Sequence, residues 1–284
     1  MDQVVPVMRP FSAALHHDTR GRLGKPHVLI QLSAMAIRAI WLWRAFLVII
    51  TYEPSTFTRS FISFTSSPRP DFEFTFDASL QGIGSLVYST TPEGIRVQRG
   101  VIQIYPLPFE ITDDATRDRS TTGSRNQNLM EFCGILVTIL TIVAHGGRDV
   151  TIRPTGDSMV ALAWARAARV KGGDHTVTTA LIFALVCMRF RIHIFETLHI
   201  PGEHNIIPDA LSRGYTDVIN ASGDSFVINR RNYYDFAALP SISSLLALCN
   251  PLLPPPVTDD DFIHLWSTIN TLLDSLPSSR AHPC

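Results

Sequence analysis

The sequence predicts an α/β protein: a five-stranded mixed sheet flanked by helices, with a helical N-terminal segment and a partly helical C-terminal tail. Three observations predict it. From Asp71, Phe72, Phe74 and Phe76 point one way while Glu73, Thr75 and Asp77 point the other, which is the period of a strand. Gly82 to Ser89 and Ile95 to Ile104 flank Thr-Thr-Pro-Glu-Gly, a turn-forming cluster, so the three segments form an antiparallel meander. Beyond them, helical periodicity alternates with short apolar runs in the order βββ, α, β, αα, β, α.

The first apolar run, His27 to Tyr52, is close in length to the ~20 residues that span a bilayer. Arg38 and Arg44 argue against a span, each costing roughly 2.5–3.5 kcal/mol near a bilayer centre, so a buried helix is expected and a membrane anchor is the lesser reading. His16, His17, Arg20 and Arg22 precede a stretch too long for a signal peptide and without a small-residue cleavage site. Thr51 to Pro70 is rich in Ser, Thr and Pro and reads as a loop, with a domain boundary near Pro68 or Pro70. After the meander, a polar stretch from Pro106 to Gln127, carrying Asp113, Asp114 and Asp118, leads to a helix over Asn128 to Ala144. There Leu129, Phe132, Cys133, Leu136, Val137, Leu140 and Val143 recur at helical spacing. A strand is expected at Val150 to Arg153, helices at Asp157 to Val170 and Val177 to Met188, and a strand from Arg191 to His199. A short helix opens at Pro208, whose missing N–H is not needed in a first turn, and ends before Gly214. In the tail, Ser241 to Cys249 reads as a short helix and Asn250 to Pro256 as a proline-rich break. Asp259 to Leu276 puts Phe262, Leu265, Trp266, Ile269, Leu272 and Leu273 on one face, to pack on the main domain or to bind a partner. The division is 1–66, 71–215 and 216–284.

Lys and Arg total 24 against 25 Asp and Glu, so no global positive field draws in a polyanion, and any nucleic-acid contact is local. The four cysteines are scattered without a CxxC pair, which fits neither a zinc site nor a disulfide scaffold and makes a reducing, intracellular compartment (cytoplasm or nucleus) the expectation.

Four acids fall at comparable places. Asp77 closes the first strand, Glu131 borders the apolar helix stripe, Asp157 sits where strand passes to helix, and Asp209 lies in the first turn of the last short helix. Taken singly, each reads as a turn acid or as a helix-start acid favoured by the helix dipole. Together, in this element order, they match what two-metal phosphodiester hydrolysis requires: several carboxylates around divalent cations about 3.5–4 Å apart. Hard ions such as magnesium take oxygen ligands, which Asp and Glu supply.

Four runs carry a resemblance. They are Phe-Asp-Ala-Ser-Leu-Gln-Gly-Ile-Gly (Phe76 to Gly84), Asn-Gln-Asn-Leu-Met-Glu-Phe (Asn126 to Phe132), Gly-Asp-Ser-Met-Val-Ala-Leu (Gly156 to Leu162), and the most specific, His-Ile-Pro-Gly-Glu-His-Asn-Ile-Ile-Pro-Asp-Ala-Leu-Ser-Arg (His199 to Arg213). Through them Asp71 to Gly214 resembles the ribonuclease H domain of retrotransposon reverse transcriptases, of the DIRS-like or gypsy-like branch. Ile40 to Leu47 is similar to the connection segment that precedes it there.

The resemblance implies a ribonuclease H-like sheet whose first three strands are antiparallel, with Val150 to Arg153 beside the first and parallel to it. It implies that Asp77, Glu131, Asp157 and Asp209 hold two Mg²⁺ (or Mn²⁺) ions, and that His199 assists product release or proton movement. It places Ser79, Ser158 and Asn205 on the nucleic-acid backbone, although polar residues beside helix starts also serve simply as caps. The implied activity is cleavage of the RNA strand of an RNA–DNA hybrid, with the polymerase portion of a pol polyprotein as a partner. No Tyr-x-Asp-Asp run occurs, so copying of nucleic acid is not expected of this chain. The competing reading is an inactive remnant that binds nucleic acid or acts as a scaffold.

Overall fold

The structure is a computed structural model that describes residues 15, 18–19, 31–52, 69–91, 93–109, 125–167, 176–215, 233–234, 240–253 and 258–276. The helices are α1 (Ala34–Tyr52), α2 (Arg125–Ala144), α3 (Met159–Ala167), α4 (Thr176–Arg189), α5 (Ile206–Ser212), α6 (Pro240–Leu248) and α7 (Asp259–Asp274). The strands are β1 (Phe72–Ala78), β2 (Ile83–Thr90), β3 (Arg96–Ile104), β4 (Thr151–Gly156), β5 (His193–Ile194), β6 (Leu198–His199) and β7 (Tyr233–Tyr234). The acidic polar stretch with Asp113, Asp114 and Asp118 lies outside the described residues.

The strands form one mixed sheet in the order β5-β4-β1-β2-β3-β7, with β6 also on β4. β1, β2 and β3 are an antiparallel meander, β4 runs parallel to β1, and both β5 and β6 run parallel to β4. This is the arrangement that the expected fold class requires, with two departures.

The single strand expected over Arg191 to His199 is split, and Pro154 explains the split. His193 N donates to Val150 O and Phe195 N to Ile152 O, so the even-numbered residues of β4 face this neighbour. The next of them, Pro154, has no N–H to give. Pairing resumes one residue out of step, with Ile200 N on Gly156 O. On its other side β4 still pairs with β1 through Thr155, so the strand runs beyond the Arg153 end expected for it. The second departure is β7, a two-residue parallel addition at the β3 edge.

Alternation along the strands sorts the two faces. Phe74, Phe76, Ala78, Ile83, Val87, Ile102 and Ile104 join the main core with α2, α3 and α4, where Phe132 meets Trp164 edge-on and Phe183 at 4.9 Å. Leu86, Tyr88 and Val101 face the other way and are covered by Ile207 and Leu211 of α5. Ile242, Leu245 and Leu246 of α6 and Ile269 and Leu273 of α7 belong to the main core, so the amphipathic tail helix packs on the domain. A Thr258/Asp261 capping box starts α7.

Among the described residues one helix, Asn126–Ala144, is long and apolar enough to cross a membrane, and most of it is buried inside the protein as a core helix is. In α1, Ala36 is buried and Trp43 packs against the main core, whereas Ile37, Ile40, Leu47 and Val48 are exposed.

Gly82 and Gly84 set how closely α5 lies on the sheet. A Cβ on Gly84 would sit 2.3 Å from Pro208 O and 2.5 Å from Leu211 Cβ, and one on Gly82 would sit 2.4 Å from Ser212 O. Gly84→Ala must therefore lift α5, and we expect a loss of about 1–3 kcal/mol of stability, as overpacking gives. Urea unfolding of the two proteins measures it, and an unchanged midpoint would contradict this packing.

Candidate metal centre

The strand ends bring the acids together. Asp77 is the last residue but one of β1, Asp157 follows Gly156 at the end of β4, and Glu131 lies in the second turn of α2, which packs across the same end. Asp77, Glu131 and Asp157 each offer a carboxylate oxygen within 4.8 Å of the others. Asp77 and Glu131 are each only 6% exposed. Such proximity is unfavourable for three charges in a dry site, and the proton affinities of Asp77 and Glu131 respond. Burial pushes Glu131 up to about 9, with the charges of Asp77 and Asp157 adding to it and bonds from Gln127 and the Ala78 backbone opposing it. Burial likewise raises Asp77 to about 6, against the Ser212 hydrogen bond.

The oxygens that remain uncompensated test whether cations fit. Glu131 Oε2 and Asp157 Oδ1 are buried without a hydrogen-bond partner. A buried carboxylate oxygen with no donor costs free energy unless a proton or cation meets it. An all-oxygen donor set of this kind suits a hard divalent ion. The residues present therefore fit magnesium or manganese.

Asp209 departs from the four-acid expectation. It is not part of the cluster; its Oδ1 accepts from Arg213 Nε at 2.8 Å and Nη2 at 2.7 Å, an i,i+4 pair on the exposed side of α5. Its charge still reaches Asp77. His199 stands exposed on β6, in register with Gly156 beside Asp157. The turn that follows brings Gly202 so close that a Cβ there would meet Asp157 Oδ2 at 3.1 Å.

The three residues expected on nucleic acid each hold a contact within the protein. Asn205 is 2% exposed and its Nδ2 donates to Phe76 O at 2.8 Å, so it clasps the end of β1 and cannot face a ligand in solvent. Ser79 Oγ donates to Ser212 O and accepts from Gln81 N and Gly82 N, fixing the turn after β1. Ser158 Oγ accepts from Ala161 N and caps α3.

Sequence reasoning missed two supporting side chains. Ser212 Oγ lies 2.6 Å from Asp77 Oδ2 and 2.8 Å from Asp209 O, and gives its proton to the carboxylate when Asp77 is charged. Gln127 Nε2 bridges Ala78 O at 2.6 Å and Glu131 Oε1 at 3.1 Å. Their signal was spacing: Gln127 is four residues before Glu131 on a helix, and Ser212 is three after Asp209. Ser212→Ala should weaken magnesium binding by roughly 10–100-fold, the usual cost of losing a partner that orients a ligand. Magnesium titration followed by thermal melting reads the change, and unaltered affinity would remove Ser212 from the site.

No protein-family model matches the chain, and no curated protein matches it. Among solved structures it is similar to RNase H1 from the halophilic archaeon Halobacterium salinarum NRC-1, at 19% identity over 52% of this chain and 98% of that one, with a TM-score of 0.33. It is similar to LC11-RNase H1, isolated from compost by a metagenomic approach, at 16% identity over 53% and 98%, with a TM-score of 0.36. The N-terminal RNase H domain of a Mycobacterium tuberculosis protein gives 14% identity over 50% and 95%, with a TM-score of 0.34.

Proposed function

We propose that the chain is a ribonuclease H-like, divalent-metal-dependent endoribonuclease acting on the RNA strand of RNA–DNA hybrids. The observation that carries this reading is the meeting of Asp77, Glu131 and Asp157 at one end of the sheet, with two buried carboxylate oxygens left without donors. Two Mg²⁺ or Mn²⁺ ions, when bound, supply activation of a water and stabilisation of the leaving oxygen. The chain's own part is positional. Asp77, Glu131 and Asp157 hold the ions; Ser212 orients Asp77, Gln127 orients Glu131, and Asn205 holds the β1 end on which Asp77 sits. Selection of the RNA strand rests on A-form shape and 2′-hydroxyls.

The motifs from His199 to Arg213 support derivation from a retrotransposon pol protein, with its polymerase portion as partner, and the scattered cysteines support an intracellular location, cytoplasm or nucleus. Reading-frame sequence upstream of the gene and imaging of the tagged protein test those two points. A second reading, an inactive scaffold, is favoured by the diversion of Asp209 to Arg213 and by the net charge of −1. Incubation of a labelled hybrid with the protein in Mg²⁺, Mn²⁺ or chelator decides between them. Metal-dependent cutting of the RNA strand is expected; magnesium binding without cutting would favour the scaffold.

A further inference from the structure

The end of the sheet that carries the three acids has a second feature which the metal centre does not use. Ala78, Ile83 and Ile104 are paired across β1, β2 and β3, so Tyr105, next after Ile104, emerges level with the turn that follows Asp77. Its ring lies against α5's C-terminal turn. A Cβ on Gly214 would stand 2.7 Å from Tyr105 Cδ1 and Cε1, and one on Gly82 would stand 3.0 Å from Cδ2. Two glycines thus make the shelf on which this ring rests, yet the residue is 47% exposed.

The end of α5 is itself rigid. Gly214, at φ +77°, donates to Leu211 O, and Tyr215 N donates to Ala210 O, the paired bonds of a Schellman motif. Gln103 Nε2 on Leu211 O and Ser79 Oγ on Ser212 O tie the same turn to the sheet. This fixes the backbone of Arg213 and Tyr215 beside Tyr105, with Tyr215 59% exposed.

Arg213 Nε and Nη2 both donate to a single oxygen of Asp209, on a side chain that is 57% exposed. The fields of Asp77 and Tyr215 also reach this guanidinium. An exposed guanidinium on the same turn as two exposed phenols, Tyr105 resting on Gly214 and Tyr215 next after that glycine, has the chemistry of a sugar-phosphate grip. The guanidinium fork matches phosphate oxygens, phenol O–H groups donate to them, and ring faces cover sugars.

We propose that Tyr105, Arg213 and Tyr215 form the cradle that holds the sugar-phosphate backbone of one strand of the substrate next to the metal centre. The proposal rests on the ribonuclease reading and adds the surface that positions the strand.

The test is binding of a fluorescein-labelled RNA–DNA hybrid, followed by anisotropy in chelator so that no cutting occurs, across a salt series. The full-length chain and its Arg213→Gln, Arg213→Lys, Tyr105→Leu and Tyr215→Ala variants are compared. A lost phosphate contact makes the plot of log affinity against log salt shallower by about 0.7–0.9. Arg213→Gln should show that change, Arg213→Lys should restore the slope, and each tyrosine variant should bind about fivefold more weakly at fixed salt, the loss of one modest contact. Tyr105→Leu keeps apolar bulk over Gly214, and Tyr215 is anchored through its backbone, so thermal melts should stay close to wild type. An unchanged slope for Arg213→Gln, with wild-type affinity in both tyrosine variants, overturns the cradle while the ribonuclease reading stands if the wild type still cuts. A wild type that neither binds nor cuts the hybrid overturns both.

Discussion

Asp77→Asn should remove magnesium-dependent stabilisation and lower hybrid cleavage by more than about 100-fold. The side chain keeps its shape but loses the charge that faces Glu131 and Asp157 across less than 4.8 Å. Changes one step removed from a metal already cost roughly 10–100-fold, so loss of a ligand itself must exceed that. Ligand linkage sets the scale of the stability effect: magnesium at about ten times its Kd adds roughly 1.4 kcal/mol to the wild type. The variant should show almost none of this. Without metal it should melt at or above the wild-type temperature, because a carboxylate raised to about 6 by burial destabilises the fold at neutral pH. Asp113→Asn, in the polar stretch before α2, is the control and should change neither quantity. Thermal melts with and without Mg²⁺, beside cleavage of a labelled hybrid, supply the numbers; wild-type cleavage by Asp77→Asn would remove Asp77 from the catalytic centre.

The first strands of the sheet were legible in the sequence from local alternation, and the three clustered acids from their places in the element order and from the motifs that carry the resemblance. Alternation of Phe72, Phe74 and Phe76 announces β1, and an acid closing each of two neighbouring parallel strands must lie at the same end of the sheet. Glu131 was legible through its place at the edge of an apolar stripe. The ion pair of Asp209 with Arg213 was not, because it depends on the solvent side of α5 and not on the motif alone. The motif fixes the Asp209 backbone in the first turn of α5, but Arg213 one turn later reaches the same carboxylate from the solvent side. Asn205 misled for a related reason. A polar residue before a helix is normally a solvent-side cap, yet here the 3₁₀ turn Gly202–His204 turns its amide inward onto Phe76 O. The break between β5 and β6 had a visible cause in Pro154, but that cause acts on the neighbouring strand, so local pattern in Arg191 to His199 does not carry it.

Glu131→Gln should separate stability from function by moving them in opposite directions. In the metal-free wild type the folded-state proton affinity of Glu131 is raised to about 9, and that of Asp77 to about 6, above their ordinary values of 4.5 and 3.8. For an acid with a raised pKa the folded state binds more protons than the unfolded state between the two values, so stability falls as pH rises. Stability is therefore fully present below pH ~4, declines through pH ~6 as Asp77 is affected, and continues to decline until pH ~9 through Glu131. Gln carries no proton to lose. The variant should therefore be more stable than wild type at pH 8 without metal, by on the order of a few kcal/mol, with the decline between pH 6 and 9 absent. Magnesium should act in reverse on the wild type. It competes with those protons, so its stabilisation grows with pH, whereas the variant gains little from it and does not cut the hybrid. Urea unfolding at pH 5, 7 and 9, in chelator and in Mg²⁺, reads all of this. If the metal-free decline survives in Glu131→Gln, another group carries it, and Glu131 is not the seat of the pH dependence.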